Sequence, residues 1–298
     1  MSAFTTIDLS TLPPPSVVET LDFEAILAAM LADLQARDPA FSALVESDPA
    51  YKILEVCAYR ELLIRQRVND AARATMLAYA TGADLEQIGA LFGVTRLTIT
   101  EADPEAVPPV AAVMESDTDL RRRIQLALEG FSTAGPEGAY IFHALAADGD
   151  VLDVSAISPS PGNVTVSILS RTGNGAASSP LIATVAAALN ADSVRPLTDN
   201  VTVQSATIVN YTVSASIYTY PGPDSAAVLA ASNAALSAYI DSVHRIGKDV
   251  TLSGIYAALH QPGVQRVVLT QPTANVTISA TQASYCTAKT ITHAGTDE

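Results

Sequence analysis

Four histidines, two cysteines and thirty-one carboxylates are the side chains of this 298-residue chain that could do acid–base, nucleophilic or metal chemistry. Their spacing argues against all three. His143, His244, His260 and His293 are scattered, and none sits in an H-E-x-x-H pattern, where imidazoles one helical turn apart share a metal. No cysteine or serine has a recognisable base partner in sequence to take its proton. Asp148, Asp150 and Asp153 are close together, yet no Glu follows at calcium-loop spacing, and they read as a solvated turn. The run RTGNGAASSP has the glycines of a phosphate loop without its Lys-Ser/Thr and reads as a turn between strand and helix. The expectation is a chain with no catalytic residue, no cofactor and no metal.

The same residues bound the function classes. A net charge of −15 opposes wrapping nucleic acid, which needs a basic surface to displace counterions. The start, MSAFTTIDLSTLPPP, lacks a basic and then apolar leader, and no run of about 18 apolar residues follows, so neither secretion nor a membrane span is expected. Two distant cysteines suit a reducing cytosol. The rival readings are an uncharacterised enzyme and a helix-turn-helix DNA binder. For the second, ADLEQIGALFGVTR has the rhythm of that motif's first helix and turn, but the acidic, β-branched TRLTITEADPE stands where the recognition helix belongs.

The elements that position these groups predict an α+β fold: an N-terminal helical region with a long bundle-forming helix, then two related small α/β modules. The expected boundaries are an extended arm over 1–20, a helical region over 21–147 with a loop and strand insertion at 93–115, and modules over 148–206 and 207–298. Helices are expected from about Leu21 to Arg37, Asp84 to Leu91, Thr118 onward with Asp117 as cap, and Ala139 to Ala147. From Ala50 to Thr81 there is neither Gly nor Pro, and Gly82 stands where a C-terminal cap belongs, which predicts a rod of roughly 48 Å. After Asp148 the pattern turns to short Val, Thr, Ser and Ile runs, broken by alanine-rich helices near 179–190 and 224–243. The segment GAYIFHALAADGDVLDVSAISPSPGNVTVSI is echoed by GIYAALHQPGVQRVVLTQPTANVTISA, each predicting a helix, a turn at Gly149 or Gly263 and two strands. A second pair, VRPLTDNVTV and VHRIGKDVTL, is expected to close a helix and open a strand each time.

Within the rod, YRELLIRQRVNDAAR holds four of the sixteen basic residues of an acidic chain. On a 100° wheel, Leu54, Ala58, Ala72 and Met76 share one arc with Cys57, Val68 and Ala71 adjoining, while Val56, Tyr59, Leu63 and Leu77 share another, so apolar residues surround the axis. Glu61, Arg65 and Asn69 form an i, i+4 ladder inside the first arc. A helix apolar on several sides predicts several neighbours. The expected inter-chain bundle surface is therefore Leu54, Ala58, Glu61, Arg65, Val68, Asn69, Ala72 and Met76, with the ladder as register device.

Two blocks, AYRELLIRQRVNDAARATMLAYATGADLEQIGALFGVTR and GPEGAYIFHALAADGDVLDVSAISPSPGNVTVSIL, resemble the baseplate J-like family of contractile-tail phages, phage-derived pyocins and related injection devices. The resemblance spans nearly the whole chain and is weakest at 101–115 and after Tyr285. It implies a structural protein of a baseplate wedge, made in the bacterial host cytoplasm and located in the virion or tail-like particle. It further implies two copies sharing a helical bundle with one tail protein I-like partner. The α/β region is implied to join neighbouring wedges into a ring around the hub, near hub and sheath-proximal proteins.

Overall fold

The computed structural model describes Ile7, Leu9, Leu12, Pro13 and residues 15–132, 135–222 and 224–297. Of the extended arm expected over 1–20, residues 1–6, 8, 10, 11 and 14 lie outside the described residues. The described chain divides into a helical unit, 7–95 with 117–121, and an α/β unit, 96–116 with 122–297.

In the helical unit, α1 (Phe23–Arg37) starts at Asp22, whose carboxylate accepts the N–H groups of Glu24 at 2.9 Å and Ala25 at 3.4 Å. Helix α2 (Pro49–Ala74) begins with proline in its first turn, where the missing donor costs nothing. It runs 26 residues, about 39 Å, rather than the 32 residues expected. The shortening has a tertiary cause. The Arg121 guanidinium donates to the carbonyls of Leu77 and Ala80, each at 2.7 Å, and so satisfies acceptors that a continuing helix would have used itself. Thr75 Oγ1 also donates back to the Ala72 carbonyl at 2.9 Å. Gly82, expected as the cap of α2, is instead the first residue of α3 (Gly82–Leu91) at φ +53°, and its N–H goes to the Asp117 carboxylate at 3.1 Å.

The chain after α3 turns at Gly93, at φ +69°, and enters a strand rather than a helix. The α/β unit opens with the antiparallel pair β1 (Thr98–Thr100) and β2 (Val113–Met114), then α4 (Asp117–Gly130), whose first turn belongs to the helical unit. Helix α5 (Glu137–Ala147) follows, then β3 (Val151–Ser160), β4 (Asn163–Ser170), α6 (Ser179–Leu189) and β5 (Asn200–Ser205). The sheet order is β3-β4-β5, with β3 antiparallel and β5 parallel to β4, and α6 makes the crossover that a parallel pair requires. Tyr140, Ile141, Ala144 and Leu145 of α5 and Leu181, Val185 and Leu189 of α6 pack on Val154, Ala156, Val166 and Ile168, which makes a two-layer core. Helix α5, grouped by the sequence with the helical region, is thus a wall of the first sheet, and a chain cut after Ala147 would expose that core.

The second sheet is built from β6 (Thr207–Thr219), β7 (Val264–Gln271) and β8 (Gln282–Thr296) in the order β7-β6-β8, with β7 antiparallel and β8 parallel to β6. Helices α7 (Ser225–Val243) and α8 (Leu252–Leu259) cover it through Val228, Leu236, Ile255 and Leu259. Helix α7 is 19 residues long and apolar enough to satisfy a membrane-span criterion by composition, but its apolar face serves this core. The echo holds for α8, Gly263 and β7 and then fails. The counterpart of β4, residues 275–280, forms only an isolated bridge, Val276 with Val250, and the antiparallel neighbour of β7 is β6 instead. VHRIGKDVTL likewise leads from α7 through Val250 into α8, with Thr251 as its cap, instead of opening a strand.

The two sheets meet through Leu169, Ala206 and Ala283, and through Asp153. Buried on β3, Asp153 accepts from Arg122 Nη2 at 2.7 Å and from the Ile246 N–H at 2.9 Å. Gly149 lets this corner close, since a Cβ there would collide with the Thr98 carbonyl at the base of β1.

Candidate assembly surface on the helical unit

The side chains with chemical potential are spent on structure. Asp148 accepts the Asp150 N–H at 2.9 Å, the Asp150 carboxylate accepts the Ser170 hydroxyl at 2.7 Å, and Asp153 holds Arg122 and Ile246. Half-buried His143 lies edge-on to Phe142, with ring centroids 5.3 Å apart, and burial pushes its pKa down against the opposing effect of a backbone bond to Gly130. His244 Nδ1 lies 2.5 Å from the Ser284 carbonyl, and His293 Nε2 lies 3.2 Å from Thr219 Oγ1. Tyr140 donates to Asp199 at 2.6 Å, and burial first, then that carboxylate, raises its pKa above the usual tyrosine range. Among the described residues, no group of three or more His, Cys, Asp or Glu is placed to hold a metal.

The surface that stands out belongs to α2. Its first arc already has an occupant within the chain: Leu54, Ala58 and Leu62 pack with Ile26, Leu27, Met30 and Leu31 of α1. Ala58 is fully buried there, and the two helices form an antiparallel hairpin, since Glu19 just ahead of α1 meets Asn69 near the end of α2. The polar ladder closes the hairpin's open end. Asn69, 3% exposed, donates to the Glu19 carbonyl at 2.9 Å and accepts the Glu19 N–H at 3.0 Å, a two-bond clasp on the segment leading into α1. Arg65 donates to Glu61 at 2.6 Å and to the Glu19 carboxylate at 3.3 Å, and the Glu61 bond is the main cause of its raised pKa. Arg65 is nevertheless about half exposed, so this pair is a surface pair of small net value.

Of the eight residues expected at the bundle surface, the structure thus places Leu54 and Ala58 against α1, and Glu61, Arg65 and Asn69 around Glu19. Ala72 and Met76 are half-buried, and only Val68, 57% exposed, is turned outward among the apolar members. The opposite side of α2 is apolar and open. Ile53, Val56, Tyr59, Leu63 and Ile64 are all between 41% and 64% exposed, with Cys57 among them. Exposed apolar side chains in one stripe over about three turns mark an interaction site, where scattered ones would not. The wheel located apolar residues on both sides but not the side that α1 takes.

Comparison with known proteins identifies the family of the chain. Three family models cover most of the chain: the baseplate J-like N-terminal domain matches residues 46–103, the central domain 132–205 and the C-terminal domain 211–292. The chain belongs to the baseplate J-like family. The first match begins just ahead of α2 and runs through α3 into the loop after β1, the second holds the first sheet, and the third holds most of the second. Baseplate protein J of Escherichia phage P2 is 54% identical over 299 residues, covering 98% of this chain and 99% of that protein. Among solved structures, the six-fold symmetrised baseplate of the anti-feeding prophage contains a chain that is 17% identical with a TM-score of 0.41, over 61% of this chain and 43% of that one. This J-like chain is a structural protein of a phage-type baseplate, in a family of building blocks rather than of enzymes.

Proposed function

We propose that the chain is a wedge subunit in which the α1–α2 hairpin assembles with a tail protein I-like partner and a second copy of the chain. The α/β unit then joins wedges into a ring around the hub. One observation supports the assembly role above the others: α2 is long, lies within the N-terminal family match, and leaves an apolar stripe open along its outward face. A helix with one face on α1 and the opposite face open is half of a bundle. The division of labour draws on the split between helical and α/β units and on the two-layer sheets, whose helices cover a single face each.

Co-expression with the proteins of neighbouring reading frames, followed by native mass measurement, tests the proposal. The expected species contains two 31.0 kDa copies of this chain and one of the tail protein I-like partner. A chain that remains alone in the presence of that partner refutes the wedge assignment.

A further inference from the structure

The outward face of α2 carries a second feature besides its apolar stripe. Arg60 and Arg67 project from it and, among the described residues, meet no carboxylate, carbonyl or amide oxygen. Every other arginine has one. Arg37, Arg65, Arg73, Arg122, Arg123 and Arg266 pair with carboxylates. Arg96, Arg121, Arg171, Arg195 and Arg245 donate to carbonyl or amide oxygens. In a chain of net charge −15, two unpaired guanidinium groups on one apolar face are an exception that needs a reason.

Their spacing supplies it. Seven residues span two turns less about 20°, so Arg60 and Arg67 stand in line about 10.5 Å apart along the helix. Ile53, Ile64 and Ala71 share that line, with Cys57 beside it. We infer that this face receives an amphipathic helix of a different polypeptide, apolar at its centre and bearing carboxylates seven residues apart that pair with Arg60 and Arg67. The inference rests on the reading that α2 enters an inter-chain bundle, and it specifies the chemistry of the neighbour on the outward side.

A second copy of α2 does not fit. Antiparallel packing about a two-fold axis between Leu63 and Ile64 sets Arg60 opposite Arg67 of the other copy, and parallel packing sets each arginine opposite itself. Like charges at such close range are repulsive. The helix has no spare acid on this face to relieve them. Glu55 holds Lys52 at 3.0 Å, Glu61 holds Arg65, and Asp70 accepts Gln66 at 2.8 Å and lies 3.8 Å from Arg73. An acidic helix gains from the same two groups: Arg forks match carboxylates, and their long stems add to the apolar contact.

Cys57 makes the face measurable, because it is exposed on the stripe while the other thiol, Cys286, is half-buried with its pKa raised by burial. In full-length C286S protein, maleimide labelling of Cys57 is followed for the free chain and for the chain co-purified with the tail protein I-like protein. The complex should slow labelling at least tenfold. R60E/R67E should lower recovery of the partner at least tenfold with an unchanged circular dichroism spectrum, and R60K/R67K should restore most of it. A complex in which Cys57 labels at the free rate and R60E/R67E binds normally overturns the inference while leaving the wedge reading intact.

A second arm is independent of that partner. Synthetic amphipathic helices of one apolar pattern, with either Glu or Lys at seven-residue spacing, are titrated against the C286S chain. The Glu peptide should protect Cys57 and the Lys peptide should not. Equal behaviour of the two peptides, or a homodimer that cross-links through Cys57, refutes the inference whatever the tail protein I-like protein does.

Discussion

Glu115 and Arg123 form an ion pair in which both side chains are shut from solvent, at 3% and 5% residue exposure and 2.7 Å apart. Glu115 Oε2 also accepts the Leu97 N–H at 3.2 Å, so a single carboxylate ties the base of the β1–β2 hairpin to α4. Glu115→Ala takes the buried carboxylate away from the Arg123 guanidinium and removes a partner of the Leu97 amide. Breaking one side of a buried pair costs about 3–5 kcal/mol, against about 1 kcal/mol or less for an exposed pair. For a unit of about 200 residues, at roughly 2–4 °C per kcal/mol, the midpoint of the α/β transition should fall by roughly 6–20 °C. Glu115→Leu with Arg123→Met removes both charges together, and should return stability to within about 1–2 kcal/mol of the parent or exceed it. Differential scanning calorimetry of the parent, the single variant and the double variant completes the comparison. A Glu115→Ala protein melting within 2–3 °C of the parent, or a double variant as unstable as the single, refutes the buried-charge reasoning.

Two further outcomes follow from the helical hairpin and from His143. Asn69→Leu removes both bonds to Glu19, whose exposed backbone can turn to water, so the cost should be modest, about 1–2 kcal/mol. Limited proteolysis within 15–20 should accelerate markedly, and an unchanged cleavage rate would show that the clasp does not hold that segment. For His143, burial favours the neutral ring in the folded state, so the unfolded chain binds more protons once pH falls below the ordinary histidine value of 6.5. Stability should therefore decline as pH drops from about 6.5 towards 5, and His143→Gln should flatten that decline in urea titrations. Identical slopes for parent and variant would dismiss the contribution.

Local signals that need no distant partner were legible in the sequence. The helices expected from about Leu21 and near 179–190 and 224–243 form at Phe23–Arg37, Ser179–Leu189 and Ser225–Val243, where the structure shows Asp22, Ser178 and Asp224 capping within a few residues. The shift after Asp148 to β-branched alternation and alanine-rich helices announced two sheets with one-sided helical cover. The density of family-like residues in two long blocks was enough to place the chain among baseplate J-like proteins.

What tertiary structure alone decided came from residues far apart in sequence. Arg121 ends α2 by capturing carbonyls more than forty positions earlier, a contact that no Gly or Pro signals. The echo at 275–280 does not become a strand, and β6, some sixty residues upstream, is the antiparallel neighbour of β7 instead. Helix α5 follows its apolar residues into the first sheet despite its helical neighbours in sequence. The choice of outward face on α2 has the same origin. A wheel shows two apolar arcs of similar weight, and only the packing of α1 decides that Leu54 and Ala58 turn inward while Ile53, Ile64, Arg60 and Arg67 remain free. Burial is a competition between faces for the same neighbour, and periodicity states the candidates without naming the winner.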